Sequence, residues 1–286
     1  MTPEEVRGEL AGTVFGPARF VAGTGSTNAD LLAAARAGAP EGLVLVADHQ
    51  TAGRGRHGRS WVAPPGSALL ASVLLRPPPA GSGVALLSPA VALAVRDACA
   101  AVGVGALLKW PNDVIVRVPG EAGTPAGPDE AKLAGVLAEL HVAEDGTIAV
   151  VAGFGVNLLS QPALRAAVAE QAGEPERGFT PLPPVALEEV SATQPDRDEL
   201  LVSVLLRLDA WYRRLQEPAG ERALLVELRS HSATIGRRVR VLTPGGTVEG
   251  NAVDLSDDGR LIVETTDGGV QAVAAGDCHH LRSASA

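Results

Sequence analysis

The chain has 286 residues, 46% of them hydrophobic and only 3% aromatic, with a formal net charge of -9. This length fits one large domain or a large and a small one, with a core built mainly from Ala, Val and Leu. The acidic balance argues against non-specific nucleic-acid binding, which runs on phosphate neutralisation. No uninterrupted apolar run approaches the ~18 residues that a membrane span needs, and Met-Thr-Pro-Glu-Glu opens without a basic region or an apolar signal core. Cys99 and Cys278 form no recognisable framework, so a reduced, cytoplasmic protein is expected.

In chain order, about 20 residues precede the first predicted strand, too few for a helix-turn-helix domain at this end. That strand is Arg19–Gly23. Ser26 and Thr27 offer caps for the following helix, with Asp30 spaced from Thr27 as in a capping box and Gly38 closing it. Leu43–Gln50 and Ser67–Arg76 are β-rich, and Val84–Val102 has the length and alanine content of a helix. Strands are expected at Val114–Val118, Lys132–Val142 and Thr147–Leu158, with Pro119–Glu130 as a surface loop rich in Gly, Pro and acids. Gln171–Pro195 holds five prolines and two glycines and reads as an irregular crossing. Helices Arg197–Gln216 and Gly220–His231 follow. Four short strands, Arg238–Thr243, Thr247–Leu255, Leu261–Thr266 and Val270–Ala274, are then separated by glycine turns, the spacing of a small barrel or sandwich. The expected fold is α+β, a mixed or antiparallel sheet with packed helices over residues 1–233, plus a small β domain over 234–286.

Residues 50–61 carry Arg54, Arg56 and Arg59, one histidine and three glycines without an acid, in an acidic protein. Glycines let the backbone pass close to a ligand, and arginines offer forked donors to carboxylate or phosphate. Arg54 and Arg56 would project to one side of an extended segment. Trp61 either anchors the loop or is a core aromatic. Gly53-x-Gly55-x-x-Gly58 formally matches a dinucleotide fingerprint. No helix begins after it, however, and no acid stands at the ribose position, so that reading is rejected. A plain solvated basic turn stays open on these residues alone.

Lys109-Trp110-Pro111-Asn112-Asp113 lies between two apolar runs. Asn and Asp after proline commonly make a turn; the added Lys and Trp at a sheet end suggest a site in which Asp113 handles a cation. Lys109 is equally readable as a partly buried structural charge. Lys132 opens a strand in which Lys132, Ala134 and Val136 would share a face, and Gly135 inside it suggests close approach of a ligand or backbone. Gly153-Phe-Gly155-Val-Asn157 repeats the pattern, so paired glycine strands would floor a flat apolar ligand. The chain has 22 arginines but only two lysines, Lys109 and Lys132, which points to positions where a compact ammonium is needed. Cys278-His279-His280 has no second ligand pair for a metal and reads as a strand end. No Gly-x-Ser-x-Gly element is present.

Gly25-Ser26-Thr27-Asn28, Gln50-x-x-Gly53-Arg54-Gly55-Arg56, Lys109-Trp110-Pro111-Asn112-Asp113, Lys132-Leu-Ala-Gly135 and Gly153-x-Gly155-x-Asn157 occur in the order found in biotin protein ligases, which the chain resembles over most of its length. The resemblance implies a class II synthetase-like catalytic domain with a small C-terminal SH3-like barrel, in the short form lacking an N-terminal DNA-binding domain. It implies ATP-dependent formation of biotinyl-5′-AMP, with Mg²⁺, and transfer of biotin to a lysine of a biotin carboxyl carrier domain. By resemblance Ser26, Thr27, Asn28 and Gln50 bind the polar head of biotin, and Arg54 to Arg56 cover the adenylate. Lys132 meets the biotin carboxylate and α-phosphate, while Lys109, Asn112 and Asp113 serve the phosphates and Mg²⁺. Gly53, Gly55, Trp61, Gly135, Gly153, Gly155 and Asn157 complete the binding set. The readings set against it are a lipoate ligase of related fold, a biotin-sensing transcriptional regulator and an inactive adaptor; neither DNA nor membrane is expected as a partner, and a homodimer is left open. His57 stands where many relatives carry another arginine, and Pro119–Glu130 is longer than typical.

Overall fold

The computed structural model describes residues 1–78, 82–118, 129–163, 165–166, 182–193 and 196–281. Most of the predicted loop Pro119–Glu130 and much of Gln171–Pro195 lie outside the described residues.

A short helix not foreseen in the sequence comes first: α1, Pro3–Glu9. Thr2 accepts from the Glu5 amide, the Glu5 carboxylate accepts from the Thr2 amide, and Pro3 starts the first turn. That capping box is legible in Thr-Pro-Glu-Glu. Strand β1 (Ala18–Val21), helix α2 (Thr27–Arg36), and strands β2 (Val44–Ala47) and β3 (Ala68–Leu75) follow, then helix α3 (Leu87–Ala101) after a 3-10 turn over Ser82–Leu86. Strand β4 (Leu107–Lys109) is a three-residue addition to the predicted set. It pairs with β5 (Asp113–Val118), and β6 (Asp129–Val142) and β7 (Ile148–Asn157) complete the strands of this part.

The seven strands form one mixed sheet in the order β1-β2-β3-β7-β6-β5-β4, with β1 and β2 parallel and every other neighbour antiparallel. The predicted α+β class is therefore the observed one. All eight residues of β3 are buried because the sheet is covered on both faces. Leu69, Ala71, Val73 and Leu75 pack in the core with α3 and with α5 (Arg197–Leu215), while Leu74 joins Leu31 and Ala35 of α2 on the other face. A one-turn helix α4 (Leu187–Val190) precedes α5, and α6 (Gly220–Ser230) follows it.

Helix α3 is a core helix of unusually apolar composition. The stretch Gly83–Ala101 is long and apolar enough to cross a membrane by length and composition, with a mean hydropathy of 1.6. More than half of it is buried inside the protein. Its apolar character serves the inner face, where Leu87, Val91, Leu93 and Val95 contribute to the core.

The C-terminal part is a five-stranded antiparallel sheet, β8 (Arg238–Thr243), β9 (Gly246–Leu255), β10 (Leu261–Thr265), β11 (Val270–Val273) and β12 (Asp277–His280), ordered β11-β10-β9-β8-β12. Val239, Val241, Val248, Leu261 and Val263 bury its inner side. Strand β12 holds the Cys-His-His run in its pairing with β8. Burial raises the Cys278 thiol to about 11 and lowers His279 to about 4. Among the described residues no group of three His, Cys, Asp or Glu side chains is arranged to hold a metal.

The two sheets meet through a polar seam. His280 Nδ1 lies 2.7 Å from the buried Glu130 carboxylate and its Nε2 lies 3.0 Å from Thr234 Oγ1. Thr234 Oγ1 also accepts from the Trp110 amide, and the Trp110 indole donates to the Gly259 carbonyl. Burial would raise the Glu130 carboxyl, but His280, Arg237 and Lys109 outweigh it and hold it below the usual carboxylate range. A carboxyl with a lowered folded value stabilises above its unfolded value, about 4.3, and that contribution disappears as pH falls through the lower folded value. Glu130→Gln is therefore expected to flatten the acid limb of the stability curve below about pH 4.3, read by denaturant unfolding at a series of pH values.

Candidate active site

The site lies on the sheet face that α2 leaves open. Along β3, β7 and β6 the residues turned that way are Ser72, Gly153 and Gly155, Gly135, Leu137 and Glu139, and registration places Ser72 beside Gly153, Gly153 beside Leu137, and Gly155 beside Gly135. The paired glycines clear a shallow floor. Helix α2 walls it on one side, the turn between β4 and β5 on the other, and residues 50–61 form the roof. The enclosed space is about 780 Å³ including its open mouth.

Of the predicted residues, Ser26, Thr27, Asn28, Gln50, Arg54, Gly55, Arg56, Trp61, Asn112, Asp113, Lys132, Gly135, Gly153 and Gly155 line this cavity. Residues 90 and more positions apart in sequence thus meet at one place. Gly53, Lys109 and Asn157 do not line it. Gly53 sits at the neck of the roof loop, where its carbonyl accepts from the Trp61 amide and an added Cβ would lie 2.4 Å from the Trp61 carbonyl. Asn157 donates to the carbonyls of Lys132 and Val185, fixing the backbone under Lys132. Lys109 points away and donates to the Cys278 carbonyl of the C-terminal sheet. The Lys-Trp-Pro-Asn-Asp run is therefore divided, with its first two side chains bonded across the seam and its last two in the cavity.

Lys132 owes its position to an irregularity. The register between β5 and β6 shifts between Val114 and Ile115, so that Val114 pairs with Ala134 but Ile115 with Lys132. The additional residue, Leu133, breaks the alternation. Ala134 and Val136 consequently turn into the core with Leu133, and Lys132 shares its face with Gly135 instead of with them, which corrects the expected pattern. Its Nζ lies 2.6 Å from Asp113 Oδ1 and 5.5 Å from the centre of the Trp61 ring. Burial would raise the Asp113 carboxyl; Lys132 and then Lys109 more than offset this and keep it ionised, below the usual range.

A second correction concerns the glycines. A Cβ on Gly153 would fall 2.1 Å from Asn28 Oδ1, and one on Gly155 would fall 2.7 Å from the Trp61 ring. The floor is thus occupied by the protein's own amide and indole, and Trp61 packs there with Ala63, Ala68 and Leu70. Its indole Nε1 is buried with no hydrogen-bond partner among the described residues.

The cap of α2 also differs from expectation. Ser26, not Thr27, is the N-cap, and Asp30 takes the Thr24 hydroxyl at 2.5 Å. Thr27 is thereby released into a buried network. Gln50 Oε1 accepts from the Thr27 amide at 2.8 Å; the Thr27 and Ser72 hydroxyls lie 2.7 Å apart; Ser72 donates to Asn28 Oδ1 at 2.6 Å. Asn28 Nδ2 donates to the Leu137 carbonyl and to Glu139. Each hydroxyl has one proton. Ser72 gives its own to Asn28 Oδ1, whose amide orientation follows from Nδ2 donating to the Leu137 carbonyl, and the Thr27 hydroxyl reaches Gln50 Oε1 at 3.1 Å as well as Ser72. Ser72 and Glu139 were not foreseen. Ser72 was detectable as the one polar residue in Ala68–Leu75, whereas Glu139 resembles any exposed strand acid. Ser72→Ala leaves Asn28 Oδ1 and Thr27 without this partner, and a loss of about 1–3 kcal/mol in urea unfolding is expected.

The two roof arginines were expected on one side. Arg54 is extended, bridged to Ser60, and reaches Glu139 at 3.7 Å. Arg56 begins a 3-10 turn, Arg56–Gly58, and its guanidinium donates to the Gly276 carbonyl at 3.4 Å. The turn sends them to different sheets.

Residues 24–157, which hold the glycines of the sheet face, the lysine–aspartate pair and the arginine roof, match the model described as the Biotin/lipoate A/B protein ligase family. Residues 234–281 match the Biotin protein ligase C terminal domain. Within that class the chain belongs to the biotin protein ligase family. It is 39% identical to the biotin–[acetyl-CoA-carboxylase] ligase of Mycobacterium tuberculosis across 95% of this chain and 92% of the relative. It is 31% identical to the bifunctional ligase/repressor of Bacillus subtilis across 80% of this chain, spanning 64% of that longer protein. The biotin protein ligase of Aquifex aeolicus, solved in complex with biotin and ATP, superposes with a TM-score of 0.67 at 25% identity, covering 93% of this chain and 99% of that one.

Proposed function

We infer that this chain activates biotin with ATP to biotinyl-5′-AMP and transfers the biotinyl group to a lysine of a biotin carboxyl carrier domain, acting in the cytoplasm. The observation that carries the assignment of residues is the Lys132–Asp113 pair at the end of a cavity roofed by Arg54, Arg56 and Arg59. Two anions must meet for this chemistry, a carboxylate and a triphosphate, and their repulsion has to be offset by fixed cations.

In the first step a biotin carboxylate oxygen bonds to the α-phosphorus and the bond to pyrophosphate breaks. Lys132 exchanges Asp113 for the reacting oxygens, its compact ammonium following the negative charge as it moves. Ser26, Thr27 and Gln50 present the polar head site, and the Asn28 network holds that site rigid. In the second step the acceptor amine attacks the acyl carbon and AMP leaves. A mixed anhydride hydrolyses in water, which gives the arginine roof its purpose. Asp113 is a lone carboxylate in the cavity wall, a donor set that suits Mg²⁺ held mostly by nucleotide phosphates; there it would supply charge neutralisation. Lys109 acts by holding the β4–β5 turn rather than by touching phosphate. Residues 1–233 form the ligase domain and 234–286 a smaller domain that braces it.

Biotin-dependent exchange of pyrophosphate into ATP, run beside lipoate, tests this reading. Exchange with biotin and not lipoate is the expected result; none with biotin in the presence of Mg²⁺ would overturn it.

A further inference from the structure

Three consecutive residues at the entry to β12 contact basic side chains of the catalytic part. The Gly276 carbonyl accepts from Arg56, the Asp277 carboxylate pairs with Arg59 and lies 4.0 Å from His57 Nε2, and the Cys278 carbonyl accepts from Lys109. Arg56, His57 and Arg59 belong to the roof loop of the cavity.

The backbone of that loop is closed locally, by the Gly55 amide on the Arg59 carbonyl and the Trp61 amide on the Gly53 carbonyl, but its charges are not. Its tip is a single 3-10 turn, Arg56–Gly58, in which His57 has a φ of 55° and Gly58 one of 75°. Residues 50–61 contain no acid, so the mutual repulsion of the roof cations must be offset from outside. Arg54 has Glu139 of the catalytic sheet for this purpose. At the tip of the turn the paired carboxylate comes from the other sheet: Asp277, with 22% of its side chain exposed, bonds Arg59, and Asp113 of the catalytic sheet also attracts Arg56 and Arg59. Pairing of β12 with β8 fixes the backbone that carries it.

We propose that Asp277 is a positioning residue, the latch by which the C-terminal sheet holds the Arg56–Arg59 turn shut over the cavity. Through it the small sheet controls how often the roof opens, and hence how long a reactive acyl-adenylate is retained; this last consequence rests on the function proposed above.

The test uses the full chain without biotin or ATP. Trypsin cleaves after arginine, so the rate of cutting after Arg54 and Arg56, followed by mass spectrometry, reports roof opening. Asp277→Asn is expected to raise that rate about fivefold, the scale of one partly exposed ion pair, with an unchanged melting temperature. The charge-exchanged pair Arg59→Asp with Asp277→Arg should restore protection, which a merely structural role for Asp277 would not produce. Unchanged cutting in Asp277→Asn, or no restoration in the exchanged pair, overturns the latch. Because no substrate is present, absence of biotin-dependent exchange would remove the ligase assignment and leave this result standing. In the active enzyme the same variant should release biotinyl-5′-AMP faster than the parent.

Discussion

Replacing Lys132 with arginine is expected to slow biotin-dependent pyrophosphate exchange by at least about tenfold, although the charge is retained. The space around the ammonium is closed on several sides. Nζ is 2.6 Å from Asp113 and stands over the Trp61 ring, and even a methyl group at Gly135 would approach it to 3.2 Å. A planar guanidinium on a longer stem cannot occupy that position without displacing the indole or the carboxylate. Its fork would also lock onto Asp113 in two-point contact, which works against exchange of partners during adenylation. Lys132→Gln should be more severe, on the order of 10²–10³-fold, the usual cost of deleting a donor aimed at developing charge. It would also leave Asp113 buried, with Lys109, Arg59 and Arg56 to keep it ionised. Wild-type exchange rates in Lys132→Arg would defeat the argument from the compact ammonium.

Gly153→Ala is the second substitution with a large expected effect. The new methyl group would lie 2.1 Å from Asn28 Oδ1 and 3.0 Å from Ser72 Oγ. Asn28 cannot withdraw, because its amide is held at 3.1 Å by the Leu137 carbonyl and at 2.9 Å by Glu139. Overpacking of this kind costs about 1–3 kcal/mol, and each buried hydrogen bond broken adds to it. Thermal melting should fall, and the KM for biotin should rise by about tenfold or more, since a 1.4 kcal/mol change in binding is already tenfold. Gly155→Ala provides the contrast. Its methyl would meet the Trp61 ring, so the strain falls on the roof loop and not on the Asn28 network. Stability should change little while release of biotinyl-5′-AMP increases. Equal melting temperatures for Gly153→Ala and the parent would show that the Asn28 network is not rigid.

Much of the framework was legible because it depends on local pattern. Strands such as Ser67–Arg76 and helices such as Arg197–Gln216 carry their period in adjacent residues, and the glycine turns after Arg238 mark the small sheet. Strand β4 escaped because three residues carry too little pattern to separate them from loop, while β12 was legible only as a strand end at Cys278–His280. Helix α1 escaped despite an explicit cap signal in Thr2-Pro3-Glu4-Glu5. The cavity residues were legible for a different reason: charge and glycine in Gly53–Arg59, and lysine in a chain that otherwise uses arginine, are unusual wherever they stand.

Their division of labour was not legible. Alternation put Lys132 with Ala134 and Val136, and one bulged residue, set by pairing with β5, moved it to the face of Gly135. Glycines read as space for a ligand are filled by Asn28 and Trp61, contacts made across more than 90 positions of chain. Lys109 and Lys132 were equal candidates until the fold turned one toward Asp113 and the other toward Cys278. The sequence by itself determined which residues carry the chemistry, because composition and short-range spacing are properties of the chain. Only the tertiary structure decided which of them touch, since hydrogen bonds and ion pairs act over a few ångströms between residues that the chain keeps far apart.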